Sequence, residues 1–332
     1  MDSMSFYSYF FGLLLFLFSI MPLFIYLIFG RAPKIDYNME YETELPTGDP
    51  PAIVNAICSG TPENSGVANL DGLRATILDL IDKNYLLITN EGDNQDLLLE
   101  INDYDPLSLW TFERMVLNFL KRYEQNGVIS MNFVSENISN PYSMLFSPFF
   151  KIWGKSAPNS ILDDKNFKSF FKRWRQAVFD GFLEYVDVED MVTDRGHVFL
   201  KVFGYAGPIL AIIFIELYTV HNSDFILADG IILAASSFIS LLIPKKFVGT
   251  WTPYGREYYE RWMSFRRYVT DFSLIEDYSP KSVKLWRSYM IYGTALGVAK
   301  GVNKSMKMPF LYDIKKDEEE DHFYDAFNIF GY

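Results

Sequence analysis

The sequence predicts a mainly α protein with small β wings (α+β): three transmembrane helices plus a winged-helix-like cytoplasmic domain. Three observations carry this expectation. Long apolar stretches without Lys or Arg occur at residues 10–29, 202–220 and 225–243. Amphipathic helical stripes fill the polar region between the first two, broken by a pair of short β-like runs. Lys and Arg flank the same side of every apolar run.

The chain has 332 residues, 49% hydrophobic, 17% aromatic and 22% charged, with a net charge of −12, so wholesale disorder is excluded. A single cysteine, Cys58, excludes a disulfide framework and a thiolate metal cage. His197, His221 and His322 are too scattered in sequence to suggest a histidine metal centre. No metal site and no cofactor is expected.

Residues 1–9 read as a short outer N-terminus, and Phe10 to Phe29 is uncharged and long enough to cross the ~30 Å hydrocarbon core as a helix. A cleaved signal peptide would need a basic start and a shorter core; here Asp2 precedes the run and no base does, which favours an uncleaved anchor. The two later runs are separated only by residues 221–224 and read as a membrane hairpin. Pro208, Gly204 and Gly207 are tolerated in such a helix. Arg31 and Lys34, Arg195 and Lys201, and Lys245 and Lys246 lie on one common side. The positive-inside rule then gives a multi-pass cell-membrane protein with its N-terminus outside and its main domains cytoplasmic. Glu216 and Asp229 are candidate intramembrane polar residues, each about one turn from the outer tip. An interfacial role is favoured over an ion pathway, and three spans without a repeat speak against a transporter.

Residues 30–44 are expected to be a linker, and 45–135 a winged-helix-like cytoplasmic domain. Pro50-Pro51 opens a short helix that Gly60 stops. In the next helix Leu70, Leu73, Ile77, Leu80 and Ile81 form one stripe, and Asn84 closes it. Residues 85–89 and 96–101 read as two strands around the turn 90–95, and a helix from Leu107 to Gln125 follows. Thirteen acids against five bases between 45 and 135 would repel a duplex, so no nucleic acid is expected and protein contact is the better reading of a winged helix.

Residues 136–200 form a second cytoplasmic region. It starts as an aromatic, Pro/Ser-rich loop at 140–158, and Asp163-Asp164 can cap the helix after it. That helix carries an aromatic face, including Phe167, Phe170 and Trp174, and a basic remainder. Lys168, Lys172, Arg173 and Trp174 are candidates for a membrane surface. The alternative, favoured here, is an ordinary amphipathic helix with its aromatic face in a core. Residues 244–308 are a basic helical segment, with twelve bases against five acids. One helix is expected from Tyr254 to Thr270 and another from Ser282 through Met306. On the latter Gly293, Gly297 and Gly301 recur every four residues and are candidate helix-packing positions. Residues 309–332 form an acidic tail, in which Phe323, Tyr324, Phe327 and Phe330 could make a docking motif.

Several runs together resemble the C-terminal part of family 2207 among the domains of unknown function, whose members are predicted membrane proteins. They are Pro50-Pro51, Ala75 to Leu80 with Asn84 to Leu86, Gly249 to Glu257, Trp262 to Arg266, and Tyr292 to Ala299. Family members typically carry an extracellular β-rich domain before the first span, and this chain starts almost at the span. The resemblance implies architecture and brings no catalytic residues.

No phosphate-binding glycine loop, dinucleotide fingerprint, zinc-protease helix or serine-hydrolase elbow occurs. Cys58 reads as a buried cysteine, and Asp163-Asp164 and Glu189-Asp190 as capping and loop carboxylates. No catalytic residue is expected. The expected function is a membrane-anchored interaction or signalling scaffold whose partners are the bilayer and an unknown protein. A membrane enzyme with an unfamiliar site and a small transport-related subunit are the alternatives.

Overall fold

The computed structural model describes residues 10, 12–14, 16–60, 65–89, 96–137, 164–185, 191–221, 224–244, 247–271, 283–306, 323 and 326–327. The loop at 140–158, Asp163, the Glu189-Asp190 pair, the turn at 90–95, Lys245, Lys246 and the acidic run at 315–321 lie outside the described residues. The chain divides into two compact units, Met1–Asp36, Thr61–Glu63 and Val188–Glu257 in one and Tyr37–Gly60, Asn64–Asp187 and Tyr258–Tyr332 in the other.

The first unit is built on apolar helices. The run Gly12–Phe29 turns at Ile20, and α1 (Met21–Phe29) continues from there with proline in its first turn. Helix α7 (Arg195–His221) contains Pro208, and α8 (Asp224–Leu242) packs against it. Between these, in chain order, come the elements of the second unit, α2 to α6. Two helices among the described residues are long and apolar enough to cross a membrane, with spans Gly12–Phe29 and Arg195–Ile213. The expected third span, residues 225–243, falls on α8, in which the apolar stretch among the described residues is Leu227–Leu242, shorter than the other two. Helix α7 starts at Arg195, ahead of the apolar run that begins at residue 202.

Large apolar side chains point outward from all three helices, among them Leu23, Ile209 and Phe238. Water would penalise such surfaces and hydrocarbon would not. Backbone proximity holds α7 to α8. A Cβ on Gly207 would overlap Ser237, and one on Gly204 would overlap Leu241. Ser237 Oγ turns back to donate to Leu233 O at 2.7 Å, so the small polar residue adds no unpaired hydroxyl to this close seam. Phe203, Ala211 and Leu233 form the buried centre, with Phe18 packed on it. A small ribbon, β4 (Val192–Thr193) with β5 (Thr250–Trp251), completes the unit, and Thr252 N donates to Met191 O at 3.0 Å. Gly255, at the start of α9 (Pro253–Thr270), lies against the Met191 carbonyl with no room for a side chain.

The second unit centres on α2 (Pro51–Cys58), all eight of whose residues are buried. Helix α3 (Leu70–Asp82) packs on it. Asn69 caps α3 by accepting from Asp71 N and Gly72 N, and Asn84 ends it at φ 60° with Tyr85 N bonded to Leu80 O. Strands β1 (Leu86–Ile88) and β2 (Leu98–Ile101) pair antiparallel as expected, with Leu86 opposite Ile101. The β content extends further than expected: β3 (Ile129–Ser130) joins β2 to make a three-stranded sheet. The expected long helix is shorter, α4 (Thr111–Leu120), because Asn126 and Gly127 both have positive φ and turn the chain back into β3. Helices α5 (Met131–Asn137) and α6 (Asp164–Tyr185) follow. The unit is therefore mainly helical with a small sheet.

The expected single helix from 282 to 306 is two, α10 (Val283–Ala295) and α11 (Ala299–Met306). Gly297 has φ +71°, and Val298 N bonds Gly293 O at 2.8 Å, a helix ending of the left-handed type. Helix α10 packs on α2 and α3. Ahead of α2, residues 39–49 form an extended strap rather than a free linker. Ser264 Oγ, Arg267 Nε, Tyr289 OH and Tyr292 OH donate to the main-chain carbonyls of Met39, Glu40, Thr43 and Asp49 in turn.

Candidate functional site

The second unit buries several polar side chains, and buried polar groups mark either chemistry or architecture. Asn55, fully buried on α2, donates through Nδ2 to Asn69 Oδ1 (2.8 Å) and Ala295 O (2.7 Å), and accepts from Asn69 N (2.8 Å). It ties α2 to the start of α3 and the end of α10. Asp49 accepts from Thr47 Oγ1 and Tyr258 OH, both at 2.7 Å. Burial, reinforced by the Asp49 charge, pushes the Cys58 thiol well above its ordinary range, which leaves it an inert packing residue. Lys83 Nζ bridges two buried carboxylates, Asp79 Oδ2 at 2.6 Å and Glu113 Oε1 at 3.1 Å. Glu113 also accepts from Trp110 N at 2.8 Å. Desolvation raises the Asp79 carboxyl to about 6 against the pull of Lys83. Each of these groups joins elements of the fold, and none of them lines either groove described below. Among the described residues no group of three His, Cys, Asp or Glu side chains converges as metal ligands would.

The sequence-predicted positions fall in different places. Trp174 is fully buried with Phe167, Phe170, Val178 and Phe182, so the aromatic face of α6 is core and Trp174 offers nothing to a membrane surface. Lys168, Lys172 and Arg173 are exposed. The three glycines do not form one face. Gly293 lets α11 approach, since its Cβ would meet Val302 Cγ2 at 2.6 Å, and Gly301 faces Thr270 at 3.1 Å. Gly297 instead makes the break between the helices. Glu216 is exposed on α7, and Asp229 on α8 is half-buried with Oδ2 3.0 Å from a Cβ placed on Gly12. Of the tail motif, Phe323 and Phe327 are buried, as is Ala326 between them, and the Arg287 guanidinium lies 5.1 Å from the Phe323 ring centre. Arg287 also pairs with Asp82 at 3.5 Å. Tyr324 and Phe330 lie outside the described residues.

Two open grooves of this unit are formed by described residues. One, of about 320 Å³, is lined by Gly66, Val67, Lys172, Arg175, Gln176 and Phe179. The other, of about 520 Å³, is lined by Tyr41, Arg266, Arg267, Thr270, Asp271 and Val298. In the second the polar groups are already engaged: Arg266 Nε donates to Leu296 O, Arg267 Nε to Glu40 O, and Tyr41 OH to Asp271 Oδ2. Sequence reasoning named Lys172 as a membrane-surface candidate but did not foresee the first groove or its other wall, the Gly66–Val67 turn. The only signal there is a Ser-Gly pair in a polar loop.

No curated protein and no solved structure matches the chain. The model of one family, described as the DUF2207 C-terminal domain of predicted membrane proteins, matches residues 38–306. The match takes in the strap, α2 through α11 and two of the three apolar helices. By this match, the chain belongs to the DUF2207 family of predicted membrane proteins.

Proposed function

We propose that the protein is a membrane-anchored interaction scaffold whose cytoplasmic module docks short helical segments carrying phenylalanine at positions i and i+4. The observation that carries this reading is the tail: Phe323, Ala326 and Phe327, spaced as one helix face, are buried, and Arg287 covers the first ring. The burial of these residues, which follow a charged stretch of chain, supports a face that accepts short segments of this kind. Three apolar helices, an outer N-terminus and an inner module make up the proposed topology, supported by the bases beside each run. The order helix, helix, two strands, helix, strand in 45–135 supports a winged-helix-like module, and its thirteen acids against five bases favour protein contact over DNA.

The test uses the full solubilised chain. Phe323→Ala with Phe327→Ala vacates the docking face. A fluorescent peptide of residues 319–332 should then bind the variant saturably. It should bind the unaltered chain far more weakly, because the tethered tail competes at an effective concentration of order millimolar. Absence of saturable binding to the variant, or equal binding to both proteins, refutes the docking face.

A further inference from the structure

We propose that the groove between the Gly66–Val67 turn and α6 binds the phosphate headgroup of an anionic membrane lipid. Its positive charge stands against a chain that carries −12 overall. Along α6 from Phe167 onward, Lys168, Lys172, Arg173 and Arg175 precede the first acid, Asp180. Asp180 itself accepts from Gln176 Nε2 at 2.8 Å, so this carboxylate is occupied by an amide. Among the described residues Lys172 is exposed and makes no ion pair, and Arg175 lies over the Phe171 ring, 5.8 Å from its centre. Two cations are therefore presented to the groove without a bound carboxylate, the arrangement an anionic oxygen would complete.

The opposite wall is backbone and apolar. Gly66 has φ +91°, and a Cβ there would come within 2.7 Å of the Phe179 ring, so the turn lies close against α6. Its amide is fixed by a 2.9 Å bond to Ala56 O. Val67 stands exposed at the mouth and Phe179 is half-buried beneath it. Cations beside an apolar lip suit a phosphate that carries glycerol and acyl carbons better than a free anion. A volume of about 320 Å³ accommodates one headgroup. Membership of a membrane-protein family supplies the ligand locally, since a chain held in a bilayer meets lipid at high effective concentration. The inference is independent of the tail-docking reading.

Native mass spectrometry of the full chain, offered equal dioleoyl phosphatidylglycerol and dioleoyl phosphatidylcholine, tests it. The unaltered chain should carry an excess of phosphatidylglycerol. Lys172→Gln with Arg175→Gln should lower that excess about thirtyfold, at roughly 1 kcal/mol per base. Lys300→Gln, an exposed base elsewhere in the same unit, should leave it unchanged. Should the double variant lose helicity, Val67→Glu sets a carboxylate at the mouth with both bases intact and must lower the same ratio. An unchanged ratio in the groove variants, or an equal fall in Lys300→Gln, overturns the proposal. Displacement of the lipid by millimolar inorganic phosphate overturns the lipid source and assigns a free-phosphate site instead.

Discussion

Asn55→Ala is the sharpest probe of the second unit, because one side chain there serves three elements. The substitution removes bonds of 2.8, 2.7 and 2.8 Å and leaves the carbonyl of Ala295, itself 1% exposed, with no donor from Asn55. An orphaned buried carbonyl costs about 1–3 kcal/mol, and the weaker losses at the partly solvated Asn69 add about 1. A total near 3 kcal/mol corresponds to a rise of about a hundredfold in the local opening constant. Hydrogen exchange on the solubilised chain should show this in the amides of α2 and α10, while α7 and α8 exchange as before. Asn55→Asp sharpens the reasoning. It keeps the acceptor for Asn69 N but sets a carboxylate against Ala295 O and Asn69 Oδ1. That carboxyl is pushed up by burial, so the folded state binds a proton that the unfolded state releases, and stability falls as pH rises from about 4 to 7. The aspartate variant should therefore be less stable than the alanine variant at pH 7 and recover in acid. Protection of α2 within about 0.5 kcal/mol of the parent in Asn55→Ala, or a pH-independent Asn55→Asp, would refute the assignment.

Other consequences follow from single side chains. Lys83→Met strands Asp79 and Glu113 as buried acids and should cost about 3–5 kcal/mol at pH 7 in urea unfolding, with much of it regained by pH 5. In the parent, Asp79 titrates at about 6, above its ordinary carboxyl range, so its share of stability is greatest below about pH 4 and declines as pH rises through 6. Gly293→Ala should destabilise by about 1–3 kcal/mol through the Val302 contact, and Val302→Ala should recover part of that loss in the double variant, read as a coupling energy in thermal unfolding. Cys58 should resist maleimide until the unit unfolds. Its silence makes a topology assay clean: an impermeant maleimide added to intact cells should label Asn222→Cys and spare Ala32→Cys.

The legible parts of the fold are those where one local signal acts alone. Pro50-Pro51 opens α2, and the Leu70–Ile81 stripe with Asn84 closing it sets α3, both as their residue types dictate. The misread parts are those where two signals compete. Spacing by four put Gly293, Gly297 and Gly301 on one helix face, yet glycine is also the residue best suited to end a helix, and at Gly297 that use prevails. Asn126-Gly127 carries a strong hairpin signature, masked by the helical stripe leading into it; reading it would have found β3. The aromatic face of α6 fits lipid and core equally well, because periodicity fixes which residues share a face and not what covers it. The groove beside it joins residues about a hundred positions apart, which no local pattern reports.

The strap at 39–49 is gripped through its peptide oxygens while the side chains of Met39, Glu40 and Thr43 face solvent. Every amino acid brings the same carbonyl, so the residue types at these positions are free to drift among relatives. What cannot drift is spacing: a one-residue deletion would slide each oxygen off its donor on α9 or α10. Alignments should therefore show constant length and shuffled identity here, a trace that ordinary conservation scoring discards as noise.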